Sequence, residues 1–238
     1  MFNRVCQNDR GVKLMNLMKL NWQFIKDSLP LYREAAWITL KLAFWGILIS
    51  LIIGLVSSLI LYFKVKAVRN IIQVYIEISR NTPLIIQLFF LYFGLTKLGI
   101  TLSENACAII GLSFLGGSYM AESFRSGLEA VGKTQIESGL SIGLSKIQLV
   151  RYVILPQAFS ISIPSIGANC IFLLKETSIV GAIAVVDLMN VTKDLIGMYY
   201  QTSEALFMLV AAYLIMILPL SLLLTWLERK VRYAEFGN

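Results

Sequence analysis

Long apolar runs separated by short polar segments dominate the chain. A helix needs about 20 apolar residues to cross the hydrocarbon core of a bilayer. The runs therefore predict an all-α, polytopic membrane protein with five transmembrane helices. Gly46, Ser50 and Gly54, four residues apart on the first, indicate close helix packing. The predicted spans cover residues 37–63, 71–95, 105–124, 161–186 and 205–227.

Two of the predicted spans contain a cluster of polar residues. Charged side chains at membrane depth are costly and usually face a protein interior or a water-filled cavity. Both clusters are therefore candidates for lining a translocation path. A structural role stays open for each: Glu77 and Arg80 are three residues apart and could neutralise each other, and the charges of the second cluster could stabilise a subunit interface. The clusters are Glu77, Arg80 and Asn81 on the second span, and Lys175, Glu176 and Thr177 on the fourth.

Composition excludes several other classes of protein. Of 238 residues, 57% are hydrophobic and 15% are charged, whereas soluble domains carry roughly 25% charged residues. The chain has no histidine, and its three cysteines are scattered, so neither a disulfide scaffold nor a common zinc site is expected. The net charge of +7 comes from basic residues between apolar runs, a pattern of membrane loops rather than of nucleic-acid binding.

The loop charges predict an orientation. Segments after the first, third and fifth spans contain ten basic residues, whereas those after the second and fourth contain only Lys97 and Lys193. The positive-inside rule therefore predicts a cytoplasmic C-terminus and an external N-terminus. The N-terminal tail, residues 1–35, opposes this with six basic residues, and its apolar residues at helical spacing predict an interfacial amphipathic helix. The transmembrane domain is expected over residues 36–238.

One segment imitates a nucleotide-binding motif. Residues 127–134 match the GxxxxGK[ST] pattern, and residues 182–187 form an apolar run that ends in Asp187. A phosphate loop follows a buried strand, but Gly127 follows a membrane span, and the loop would include the acidic Glu129. We expect no nucleotide, metal or other cofactor to bind to this chain.

The one long gap between spans, about residues 127–156, predicts a cytoplasmic helix-turn-helix. Apolar residues recur at helical intervals on both sides of Gly143, and a glycine within such a pattern commonly marks a turn. We expect a positive φ at Gly143. Transport across the bilayer requires no such loop, so the loop indicates a cytoplasmic partner.

The same gap resembles the signature of membrane subunits of bacterial ABC importers, which reads EAA, three residues, G, nine residues, I-x-L-P. Three stretches in residues 77–95, 173–185 and 226–236 (EISRNTPLIIQLFFLYFGL, LLKETSIVGAIAV and WLERKVRYAEF) resemble permeases for polar amino acids of the histidine/glutamine/arginine type. Small or aliphatic residues replace both alanines and the isoleucine of the signature. The matching positions are Glu137, Ser138, Gly139, Gly143, Val153, Leu155 and Pro156.

The resemblance implies a non-catalytic permease subunit in the cytoplasmic membrane of a bacterium. It implies a dimer with a second copy or a homologue, cytoplasmic ABC ATPase subunits coupled through this loop, and an extracytoplasmic solute-binding protein. The cargo would be a polar amino acid. An ion-coupled secondary carrier, or a membrane scaffold without an ATPase, is the alternative, and the cytoplasmic loop argues against it.

Overall fold

A computed structural model describes residues 20–236, with side chains from residue 20 to residue 231. Within residues 20–236 the regular structure is entirely helical, as predicted. The tail before residue 20, with four of its six basic residues, lies outside the described residues. The helices are α1 (Trp22–Tyr62), α2 (Lys66–Asn81), α3 (Leu84–Phe89), α4 (Leu95–Lys97), α5 (Glu104–Ala130), α6 (Lys133–Ser141), α7 (Lys146–Leu149), α8 (Leu155–Glu176), α9 (Leu188–Tyr199) and α10 (Thr202–Phe236).

Shorter irregular turns connect several of these helices. π-Helical turns join α3 to α4 (Phe90–Gly94) and α7 to α8 (Val150–Ile154), and a 3-10 helix (Thr177–Ile183) follows α8. Four helical segments of the described chain are long and apolar enough to cross a membrane: α1, α5, the continuous stretch Lys146–Ile183, and Thr202–Val231 of α10.

The second predicted span is interrupted. Helix α2 ends at Asn81 and α3 begins at Leu84. Pro83, between them, has no N–H to donate to the carbonyl four residues earlier, and its ring disfavours helical backbone in the residue before it. The predicted span 71–95 is therefore made of short helical pieces, separated by extended backbone at Thr82 and Pro83.

Helix α1 runs without a break from the predicted tail into the first predicted span. It has 41 residues, about 60 Å at 1.5 Å per residue, roughly twice the hydrocarbon thickness of a bilayer. Its first half packs against α9 and α10, where the Tyr32 hydroxyl donates to the Ala205 carbonyl at 2.8 Å and lies 2.8 Å from the Thr192 hydroxyl oxygen. This half of α1 is therefore fixed to the connection between α9 and α10.

Helix α5 forms the centre of the molecule. It packs most extensively against α1 and next against α8, and more than half of its residues are buried. Gly46, Ser50 and Gly54 are buried on α1, as their spacing predicts. A Cβ at Gly54 would lie 2.8 Å from the backbone nitrogen of Ala121, closer than real side chains approach. Glycine at position 54 therefore determines how closely the two helices pack.

We expect Gly54→Ala to lower the free energy of unfolding by about 1–3 kcal/mol, the usual cost of overpacking a core. The added methyl group meets backbone, which cannot move without displacing α5. Unfolding of the purified protein in detergent, followed by intrinsic fluorescence against denaturant, measures the change. Gly197→Ala is the matched control because nothing lies within 4 Å of a Cβ at this exposed position of α9. Equal stability of the two variants would contradict this account of the interface.

Candidate functional site

A helical hairpin, residues 133–149, occupies the gap between the third and fourth predicted spans. Helix α6 ends at Ser141, and Gly143 adopts the left-handed region with φ 87°, as expected. The Gly143 N–H donates to Leu140 O at 3.0 Å and the Leu144 N–H donates to Gly139 O at 3.1 Å. This pair of hydrogen bonds is the Schellman motif, in which glycine takes the left-handed position because a side chain is disfavoured there.

The second arm of the hairpin begins at a capping box. The Ser145 hydroxyl accepts from the Gln148 N–H, and the Gln148 side chain accepts from the Ser145 N–H. Two helix-terminal donors are thereby satisfied reciprocally. Both ends of the turn are thus defined by local hydrogen bonds, so the angle between α6 and α7 is set by the sequence itself.

The inner side of the hairpin packs onto the ends of α1, α5 and α8. Leu149 and Ile154 are buried with Leu128, Val131 and Ala158, and Leu59, Tyr62 and Val153 pack against this cluster. Gly139 is buried, and a Cβ there would lie 2.5 Å from the Leu149 Cδ1 atom. The hairpin is therefore attached to the helices that precede and follow it.

The outer side of the hairpin carries exposed apolar side chains. Ile142 is 79% exposed, Ile147 is 81% exposed, and Leu140 is also exposed. Glu137 and Ser138 of the signature lie on the exposed part of α6, and Leu155 and Pro156 are exposed where α8 begins. Exposed apolar residues rimmed by polar ones are typical of a protein-binding surface.

The polar residues of the second predicted span lie at the C-terminal end of α2. The Asn81 amide donates to the Glu77 carbonyl at 2.8 Å and to its carboxylate at 3.1 Å. The ion pair between Glu77 and Arg80 that their spacing suggested is not formed, so this interpretation is wrong. Instead Arg80 reaches across to α5, where its Nη1 lies 3.5 Å from the Glu122 Oε2, and its guanidinium lies 5.4 Å from the centre of the Tyr119 ring.

Glu122 is a candidate residue that the sequence reasoning missed. It also pairs with Arg125, which in turn contacts Glu129 at 3.1 Å. A signal was present in the sequence: an acid inside the third predicted span is followed by a base three residues later, on the same face of the helix. The partner on α2 could not be read from that spacing.

The polar residues of the fourth span lie where the helix changes type. Helix α8 ends at Glu176, and the buried Thr177 begins the 3-10 helix, with its hydroxyl donating to Leu174 O at 2.7 Å. Lys175 is exposed and Glu176 is partly buried. Within the described chain neither belongs to an ion pair, and no hydrogen bond joins them to Glu77, Arg80 or Asn81.

A polar seam lies between these two groups. The Asn169 amide of α8 donates to the Ser123 hydroxyl at 2.8 Å and to Tyr119 O at 3.3 Å. Ser123 also lies 2.6 Å from the Ser165 hydroxyl. At one end of this seam, Tyr119 contacts Arg80 of the α2 cluster. At the other end, Asn169 lies two turns before Glu176 on α8. Polar groups on α5 and α8 therefore extend from the α2 cluster towards the cluster at the end of α8.

Gln87 compensates for the interruption at Pro83. Its side-chain amide donates to Ser79 O at 3.1 Å and to Thr82 O at 3.0 Å. Ser79 O is the acceptor that the N–H of residue 83 would serve in a continuous helix, and proline has none. Gln87 therefore replaces the missing donor and fixes the end of α2 that carries Arg80 and Asn81.

The two segments that match nucleotide-binding patterns, residues 127–134 and 182–187, have structural roles. Gly127 lies within α5, packed against Ser162 and the Ala158 carbonyl of α8. The segment therefore begins inside a helix where a phosphate loop would follow a strand, and it continues through two extended residues, Val131 and Gly132, into α6. Asp187 is fully buried and caps α9 by accepting from the N–H groups of Met189 and Asn190. Burial raises the pKa of its carboxyl, while these hydrogen bonds lower it.

Comparison with known proteins identifies the family. Residues 37–233 match the family described as the binding-protein-dependent transport system inner membrane component. The chain belongs to this family. Its members are permease subunits of membrane transport systems: they cross the membrane several times and are not themselves catalytic. This agrees with the resemblance seen in the sequence.

Curated relatives match most of the permease. A probable amino-acid ABC transporter permease protein, PatM of Vibrio harveyi, is 30% identical over 91% of this chain and 99% of its own length. The glutamine transport system permease protein GlnP of Escherichia coli is 31% identical over 90% of this chain and 99% of its own. The probable amino-acid permease protein YxeN of Bacillus subtilis is 37% identical over 71% of this chain and 77% of its own.

Solved structures share the fold of this permease. An amino acid ABC transporter crystallised with histidines has a TM-score of 0.83 at 31% identity, covering 90% of this chain and 100% of the matched one. An inward-facing structure of the MetNI methionine ABC transporter has a TM-score of 0.70 at 21% identity, covering 86% and 98%. The second likeness extends the shared fold to a more distant sequence.

We expect Gln87→Leu to lower the free energy of unfolding by about 1–3 kcal/mol, because two carbonyl groups at the Pro83 break lose their donor. Denaturant unfolding of the purified permease measures the loss. Gln73→Leu is the matched control, since this exposed glutamine of α2 makes no side-chain hydrogen bond within the described residues. A cost for Gln87→Leu no greater than that of the control would mean that the break is not stabilised by Gln87.

Proposed function

We propose that this permease is the membrane subunit of an ATP-driven importer that moves a polar amino acid across the cytoplasmic membrane of a bacterium. The observation that carries the proposal is the hairpin of residues 133–149, which combines an internally fixed turn, a buried attachment to α5 and α8, and an exposed apolar surface. The substrate class rests on the relatives and the solved transporter, whose names specify amino acids.

The hairpin is proposed to be the element that couples transport to ATP hydrolysis. Leu140, Ile142 and Ile147 would enter a groove on a cytoplasmic ATPase, and Glu137 and Ser138 would contact its rim. Gly139 and Gly143 would keep α6 close to α7 at a fixed angle, while Val153, Leu155 and Pro156 would join the hairpin to α8. A movement of the ATPase would then reach α5 and α8 through the buried cluster around Leu149.

The partners follow from this arrangement. Two ABC ATPase subunits would bind on the cytoplasmic side, a second permease copy or a homologue would complete the pore, and an extracytoplasmic solute-binding protein would deliver the amino acid. The permease itself would bind no nucleotide and no metal, because the segment that imitates a phosphate loop is used for helix packing. An ion-coupled carrier would have no evident use for an exposed, rigid cytoplasmic hairpin, so this alternative is not favoured.

We also propose five crossings, with the N-terminus outside. The second crossing would be made by α2, α3, the π-helical turn and α4 together. The end of α1 and the hairpin share one apolar cluster, so the basic segments after the first and third spans lie at the same end of the molecule. Aromatic contacts join Trp22 to Phe207 and Phe24 to Tyr199 at the other end, as expected of residues near the outer interface.

The translocation path is proposed to run along α2, α5 and α8. Glu77, Arg80 and Asn81 would line its cytoplasmic part, and Lys175, Glu176 and Thr177 would line its middle, with the seam of Ser123, Ser165 and Asn169 between them. Irregular backbone at membrane depth is tolerated where it is buried in protein or lines a cavity. If the path runs as proposed, the helix breaks at Pro83 and at Thr177 both lie beside it, where irregular backbone is tolerated.

Thiol labelling tests the orientation. In a background with Cys6 replaced, Lys193→Cys should react with an impermeant maleimide added to intact cells, whereas Lys66→Cys and Lys146→Cys should react only after the membrane is permeabilised. All three lysines are exposed, and Cys107 and Cys170 are buried, so the background signal should be low. Labelling of Lys146→Cys in intact cells without labelling of Lys193→Cys would reverse the topology.

Gly143→Val tests the coupling. Valine is strongly disfavoured at φ 87°, so the angle of the hairpin should change while membrane insertion continues. We expect loss of uptake and loss of solute-stimulated ATP hydrolysis in the reconstituted complex. Glu137→Lys should weaken ATPase binding in a co-purification assay by reversing a charge at the rim.

Gly132→Val is the matched control for Gly143→Val. Gly132 precedes α6 in an extended conformation, with φ −62° and open space around a Cβ, so valine fits there without strain. This control should retain transport. Wild-type coupling in Gly143→Val would remove the hairpin from the mechanism.

A further inference from the structure

Helix α2 has three distinct faces. Tyr75 and Ser79 face α5, where both hydroxyls donate to Phe114 O at 2.7 Å and 3.0 Å. Ile71, Val74 and Ile78 form an exposed apolar face. The third face is polar and carries Arg69, Gln73, Glu77 and Arg80. A membrane helix with one face on protein, one apolar and one polar is placed between lipid and an aqueous space.

The polar face of α2 borders a cavity of about 610 Å³. This charged cavity lies between the end of α1, α2 and the second half of α5. Its volume is within the range of about 300–1,000 Å³ that is typical of small-molecule sites. Three basic and three acidic residues line it: Lys64, Arg69 and Arg125, and Glu77, Glu122 and Glu129.

The two acids of the α5 wall are paired with Arg125 and with Arg80 of α2, whereas the other charges that line the cavity belong to no ion pair among the described residues. Glu122 and Glu129 both pair with Arg125, and Glu122 also pairs with Arg80. Among the described residues Lys64 and Arg69 have no carboxylate within 4.0 Å, and the Glu77 carboxylate contacts only the Asn81 amide. Among the described residues, the cavity thus presents two cations and one carboxylate that belong to no ion pair.

We propose that the charged cavity is a release site for the transported solute, which binds there as a zwitterion before it enters the cytoplasm. The carboxylate of the amino acid would be held by Arg69 and Lys64, and its ammonium by Glu77. Gln73, one helical turn from both Arg69 and Glu77, supplies a donor and an acceptor between them. An inorganic anion would leave Glu77 unpaired, and a simple cation would be repelled by Lys64 and Arg69, so a zwitterion fits this set best.

This inference rests on the proposed function for its substrate class and on the proposed orientation for its direction. Lys64 and Arg69 belong to the first basic loop, which the orientation places inside the cell. Release sites need low affinity, and the exposed side chains of Lys64, Arg69 and Glu77 provide contacts that water weakens. The solute would therefore leave easily.

Binding to the purified complex of permease and ATPase in nanodiscs tests the proposal. The binding protein and ATP are left out, so that only membrane sites contribute. The probes are radiolabelled L-glutamine, L-histidine and L-arginine, with inorganic phosphate as a competitor. We expect Glu77→Gln and Arg69→Gln each to weaken binding of the transported probe by up to about fivefold, since one water-exposed charged contact is lost. Lys193→Gln and Asp194→Asn, which change exposed charges on α9, should bind like the wild type.

The outcomes separate this inference from the proposed function. If the wild-type system takes up none of the three amino acids, the proposed substrate class fails. Suppose instead that the wild-type system takes up one of these amino acids and that Glu176→Gln impairs this uptake. If Glu77→Gln and Arg69→Gln then bind that amino acid as tightly as the wild type, the release site is wrong and the proposed function stands. Displacement of the bound amino acid by phosphate, or dissociation of the permease dimer in the two cavity variants, would also overturn the release site.

Discussion

The close approach of α5 to α1 and α8 is the interaction on which the rest of the molecule depends. Lipid tails are as apolar as leucine, so burial from water does not hold membrane helices together, and close packing together with interhelical hydrogen bonds does so instead. Gly54 permits this approach on the α1 side and Gly127 permits it on the α8 side. Helix α5 then carries Glu122 and Arg125 at its second half and leads directly into the hairpin.

A second constraint governs the interruptions in the helices. Unpaired backbone groups are very costly inside a bilayer, so a break requires a local donor to replace the lost one. The Gln87 amide does this at Pro83, and the hydroxyls of Tyr75 and Ser79 attach the preceding turn to α5. The break can therefore be rigid, and it places Arg80 and Asn81 at a fixed position beside α5.

The sequence predicted those features that depend on residues close together along the chain. Apolar runs revealed the long helices, and the turn at Gly143 followed from one glycine within a helical pattern. Features that depend on packing were not predictable from spacing alone. Arg80 is three residues from Glu77, yet it pairs with Glu122 because α5 lies beside that face of α2. The role of Gln87 likewise requires knowledge of how the chain turns at Pro83.

The interfaces differ in strength, and this difference determines which of them can change during a transport cycle. At Gly54 the contact between α1 and α5 brings the helix so close to the Ala121 backbone that a Cβ would clash, so the two helices cannot slide past each other freely. The contact between Arg80 and Glu122 joins side chains that are 40% and 36% exposed, and such pairs contribute about 0–1 kcal/mol. Movement transmitted by the proposed coupling hairpin to α5 would separate the charged ends of α2 and α5 before it disturbed the packed core. The weak ion pairs thus border the charged cavity, whose shape would have to change during transport. The close-packed glycines lie between α1 and α5, where no change of shape is needed.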